Sequence, residues 1–147
     1  MAEARLRTSH LIALRKAAGL TQAELVALIN SPGRELRVGE WERGEVQPRP
    51  QYLARLAAAL GVEPLELLDV DPADPPLIAL RVAAGLTLKR VSQATGLSVT
   101  AYRRLEIGVV RRDPDPDDTQ RLADALGVSV ERLVQGLERS RGQRRTQ

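Results

Sequence analysis

The chain has 147 residues, 43% of them hydrophobic, with three aromatic side chains (Trp41, Tyr52, Tyr102), no Phe, no Cys and a single His, and its 22 basic and 19 acidic residues give a net charge of +3. That composition excludes disulfides, thiolate metal centres, thiol nucleophiles and multi-histidine sites, and a core of Leu, Val, Ile and Ala points to an all-α fold. No apolar run nears the roughly 20 residues needed to span a bilayer, and the N-terminus does not resemble a secretory leader; a cytoplasmic protein is expected, with no cofactor and no metal.

In chain order, Leu11, Leu14 and Ala18 share one helical face, and Gly19 ends that helix. Thr21 and Glu24 form a capping box that opens a second helix, with Leu25, Leu28 and Ile29 as its apolar stripe. A turn at residues 31–33 leads to a third helix from about Arg34 to Glu42, burying Val38 and Trp41. Pro50 opens a fourth, with Leu53, Leu56, Ala57 and Leu60 inward. Residues 63–68 make a short last helix.

Residues 69–76 (DVDPADPP) read as a short stiff linker, with Asp74 as N-cap and Pro75 at the first position of the next helix. The pattern then repeats. LIALRKAAGLT at 11–21 recurs as LIALRVAAGLT at 77–87, differing only at Lys16/Val82, and ALGV at 59–62 recurs at 125–128. Thr87 caps a helix with Val91 and Ala94 inward. Ser98 caps a short helix with Tyr102 and Leu105 inward. Asp115 and Ser129 open the last two helices. Residues 1–70 carry no net charge, residues 71–75 carry −2, and residues 76–147 carry +5. The basic end, residues 138–147, is expected to be a disordered tail.

Three separated words occur in order: LRKAAGLTQAEL at 14–25, WERG at 41–44 and LAAALGV at 56–62. Together they resemble the phage-repressor (Cro-like, XRE) family of helix-turn-helix domains, and residues 76–135 resemble it a second time. The resemblance implies two tandem five-helix domains, at 1–70 and 77–137, joined by the Pro/Asp linker at 71–76. It also implies a sequence-specific regulator of transcription, expected to be a repressor, associated with the nucleoid. Its third helix would enter the major groove of double-stranded DNA.

In the second copy, Val99, Thr100, Arg103 and Arg104 would then face base edges, while Lys89, Arg90, Arg111 and Arg112 would clamp phosphates. In the first copy the candidates are Gln22, Arg34, Arg37 and Arg43. That copy departs from the pattern. It has two more residues between Ile29 and Trp41 than the second has between Thr95 and Leu105, and its exposed set (Arg34, Glu35, Arg37, Gly39, Glu40) includes two acids that phosphates would repel. The family also implies ion pairs Arg15–Glu42 and Arg81–Glu106, assigned to folding rather than to DNA.

The alternative is an interaction module or antitoxin-like adaptor, in which the first copy is a surface for a homodimer or a partner protein. An enzyme is not expected: no nucleophile–base pair, metal cluster or phosphate-cradling loop occurs. The acidic run at 113–118 reads as a helix cap rather than a calcium loop, because it has no glycine at its sixth position and has prolines in its spacers.

Overall fold

The structure, a computed structural model, describes residues 4–29 and 37–145. Among them it is all-helical. The first copy comprises α1 (Thr8–Ala17), α2 (Gln22–Ile29), α3 (Val38–Glu42), α4 (Pro50–Leu60) and a 3-10 turn (Pro64–Leu67). The second comprises α5 (Leu77–Ala83), α6 (Leu88–Thr95), α7 (Val99–Glu106), α8 (Pro116–Leu126) and α9 (Val130–Arg145).

Local chemistry sets most of these boundaries. Thr21 and Glu24 exchange side-chain hydrogen bonds with each other's backbone N–H, at 3.1 Å each, and so open α2. Thr87, Ser98 and Asp115 accept from the backbone of α6, α7 and α8, and Pro50 and Pro116 occupy first helical positions.

Each copy buries its own apolar core. Leu11, Leu25, Val38, Trp41 and Leu56 centre the first; Leu77, Val91, Tyr102, Leu122, Leu133 and Leu137 centre the second. Several expectations need correction. Leu28 is 61% exposed and is not part of the α2 stripe. Ala18 and Ala94 are exposed, and in α6 the inward position belongs to Thr95, whose hydroxyl donates to the Val91 carbonyl. The described part of α3 starts at Val38, not near 34; the turn at 31–33, Arg34, Glu35 and Leu36 lie outside the described residues.

α5 starts at Leu77 with Pro76 at the cap, not at Pro75 behind Asp74. The Asp74 N–H is already used by the Asp71 carbonyl, and the Leu77 N–H is taken by the buried Ser140 hydroxyl at 3.0 Å.

The expected disordered tail is corrected as far as residue 145; residues 146 and 147 lie outside the described residues. The chain from 138 to Arg145 continues α9, with Ser140 and Arg141 buried. The apolar spacing explains why: Leu133 and Leu137 set an inward face that positions 140 and 141 prolong.

The two copies pack against each other across the linker. α5 packs on α4 and on the 3-10 turn, Ala79 is fully buried in the first core, and Val82 packs against it. The one difference between the repeated words is thereby explained. Lys16 is exposed on α1, whereas its counterpart Val82 faces the neighbouring copy. Arg132 pins the linker by donating to the carbonyls of Pro72 and Ala73, at 2.6 and 3.0 Å.

Candidate nucleic-acid interface

In the second copy, α6 and α7 meet through a turn tied by two hydrogen bonds. The Ser92 hydroxyl donates to the Leu97 carbonyl at 2.6 Å, and the Leu97 N–H donates to the Thr95 hydroxyl at 3.2 Å. The turn gives α7 one inward face, Tyr102 and Leu105, and one outward face. On the outward face Val99 (40% exposed), Thr100, Arg103 and Arg104 are all exposed.

Lys89 and Arg90 stand exposed at the start of α6, and Arg111 and Arg112 on the turn after α7. Among the described residues, none of these six cations has a side-chain hydrogen bond or ion pair. Arg104 and Arg112 rim a groove of about 530 Å³ whose floor includes Leu97, Leu105 and Val110.

The far end of α7 is anchored from beneath. Arg81 donates from Nε and Nη2 to the two Glu106 carboxylate oxygens, at 2.5 and 3.2 Å, and from Nη1 to the Leu86 carbonyl at 3.0 Å. One buried guanidinium therefore ties the first helix of the copy, the turn before α6 and the end of α7. The Tyr102 hydroxyl is buried without a hydrogen-bond partner among the described residues; burial, then the Glu106 charge beside it, push its pKa far up and keep it neutral. The first copy repeats the anchor. Arg15 reaches Glu42 at 2.6 and 3.0 Å and the Leu20 carbonyl at 2.9 Å.

The two outward faces differ. Aligning the copies at these anchors sets Gly39 and Glu40 opposite Arg103 and Arg104, and aligning the repeated words sets Ala23 and Glu24 opposite Lys89 and Arg90. The first-copy candidates that can be described are engaged within the copy. Gln22 donates to Glu42 at 2.9 Å, Arg37 to Glu40 at 3.2 Å, and Arg43 to both oxygens of Glu45 at 2.9 and 3.2 Å. Arg34 lies outside the described residues. Gly39 is half-buried, not fully exposed as expected, because Arg43 and Gln22 close over it; a Cβ there would come within 3.2 Å of each.

The charges respond accordingly. Burial alone would raise the Glu42 carboxyl, but hydrogen bonds from Arg15 and Gln22 outweigh it and hold the group below its ordinary pKa. The Arg43 pair likewise lowers that of Glu45.

Three of the four acids at 113–118 are used structurally. Asp113 pairs with Arg141, Asp115 caps α8 and Asp118 pairs with Arg121. Of the basic residues at the C-terminal end, Arg139 lies 3.8 Å from Asp74 and Arg141 is turned inward. Ser140, Arg141 and Val82 are structural residues that composition and motif spacing passed over. Their signals were the apolar register of α9 and the single mismatch in the repeat.

Among the described residues, no helix is long and apolar enough to cross a membrane. A family model described as helix-turn-helix matches the chain twice, over residues 11–67 and 77–133. These stretches run from α1 to the 3-10 turn and from α5 into α9. No curated protein matches the chain.

Proposed function

Because the chain belongs to the helix-turn-helix family of the phage-repressor type, in two tandem copies, and is on that ground a DNA-binding regulator, we propose that it is a repressor that reads double-stranded DNA through α7 of its second copy. The observation that carries this reading is the contrast between the outward faces. Among the described residues, the second copy presents six cations without side-chain partners, while Gln22, Arg37 and Arg43 of the first pair with its own acids.

α7 enters the major groove. Arg103 and Arg104 bond bidentately to guanine edges, and Thr100 and Val99 meet thymine methyls. Lys89, Arg90, Arg111 and Arg112 hold the flanking phosphates, helped by the positive end of the α6 dipole. Four phosphate contacts would make log K fall with log[salt] at a slope of about −3 to −4. Repression follows from occupancy: a protein seated in the major groove of a promoter excludes polymerase there.

The first copy acts as the scaffold on which α5 is docked. Selection of bound duplexes from a random pool by the full chain tests this reading. A short contiguous motif is expected, and it should vanish in Arg103→Ala/Arg104→Ala. Recovery of the same motif by that variant would refute the assignment of α7.

A further inference from the structure

We propose that Ser140 and Arg141 in the last part of α9 are positioning residues that hold the turn after α7 so that Arg111 and Arg112 project onto the DNA backbone. This rests on the reading of α7 as the DNA-contacting helix.

Arg141 is 9% exposed and grips both ends of a four-residue segment. Its Nε donates to the Val110 carbonyl at 2.8 Å and its Nη2 to the Asp113 carboxylate at 2.9 Å, while Nη1 is held by Glu138 at 2.9 Å. Residues 110 and 113 are thus drawn toward α9. Arg111 and Arg112 between them are left exposed and without side-chain partners among the described residues.

Contact with the turn is close. Gly108 has φ +77°, and a Cβ there would overlap the Ser140 carbonyl, so only glycine lets the turn rest on the helix backbone. Ser140, fully buried, fixes α9 in turn. Its hydroxyl accepts from the Leu77 N–H at 3.0 Å and donates to the Gly136 carbonyl at 2.9 Å. The phosphate clamp is therefore referred, through α9, to the start of α5. Among the described residues, the first copy has no such helix behind its corresponding turn, where Arg43 closes on Glu45 instead.

The test is the salt dependence of binding to a selected duplex, measured on the full chain at a temperature where circular dichroism shows every variant folded. Arg141→Met should lower the slope by about 2, the equivalent of two lost phosphate contacts at ~0.9 each, with the selected base sequence unchanged. Adding it to Arg111→Ala/Arg112→Ala should change the slope no further.

Asp113→Ala keeps the test sharp should Arg141→Met fail to fold. Removing an acid beside DNA tightens binding if charge alone matters, whereas loss of positioning weakens it; weakening is expected. A folded Arg141→Met with the wild-type slope, or an Asp113→Ala that binds more tightly, overturns the inference while leaving the DNA reading intact. Failure of the wild type to bind any duplex at low salt overturns the DNA reading itself.

Discussion

Arg81 reaches across the second copy to bind both carboxylate oxygens of Glu106, with side-chain exposures of only 10% and 5%. A pair this buried resists removal of one partner, because the other is left charged and desolvated. Arg81→Met or Glu106→Leu alone should destabilise the chain by about 3–5 kcal/mol, whereas the double variant should recover much of the loss. Denaturant unfolding measures both; wild-type stability in either single variant would reject the anchoring role.

Glu42 makes the equivalent anchor pH-dependent in the first copy. Its folded pKa lies below that of an unfolded glutamate, about 4.3. The pair therefore contributes its full stability above about pH 4.3, and the contribution is lost as pH falls through the lower, folded value. Glu42→Gln should be less stable than wild type at pH 7, and the gap should narrow on acidification toward pH 3. A gap that stays constant over that range would contradict the assignment.

The docking of the two copies makes Val82 and Lys16 unequal despite their equivalent places in the repeat. Val82→Lys sets a charge against the first core and should cost on the order of 1–3 kcal/mol. Lys16→Val, on an exposed face, should stay within about 0.5 kcal/mol. Hydrogen exchange should show added opening in α4 and α5 for the first variant only. Equal effects of the two substitutions would mean that the copies are independent.

The α7 cap offers a local test of the reading helix. The Ser98 hydroxyl accepts from the Ala101 N–H at 3.0 Å. Ser98→Ala should cost about 1 kcal/mol and loosen the first turn, where Val99 and Thr100 sit. Thermal unfolding reads the stability, and base discrimination at the positions proposed for these two residues should weaken more than overall affinity. Unchanged stability and discrimination would remove Ser98 from the account.

Much of this organisation was legible in the chain. The capping box at Thr21 and Glu24, the caps at Thr87, Ser98 and Asp115, and the prolines at 50 and 116 are local signals, and local chemistry decides helix ends. The repeated words carried the tandem fold. What was missed depends on tertiary contacts. Asp74 has the place of a cap but is bypassed because Ser140, 63 residues beyond Leu77, takes the Leu77 N–H. The basic C-terminal end looked disordered by composition, yet Ser140 and Arg141 continue a stripe begun at Leu133. Nothing local reveals that Gln22, a DNA-contact candidate by its place in the word at 14–25, also donates to Glu42 at 2.9 Å.

The central claim is that the second copy reads DNA and the first does not. The most direct measurement is the affinity of the full chain for its selected duplex and for a scrambled one, compared between Arg103→Ala/Arg104→Ala and Arg37→Ala/Arg43→Ala. With each bidentate contact worth about 1–3 kcal/mol, the first variant should lose at least about tenfold in affinity together with most discrimination, and the second should stay within about twofold of wild type. A comparable loss in the Arg37→Ala/Arg43→Ala variant, or wild-type discrimination without Arg103 and Arg104, would contradict it.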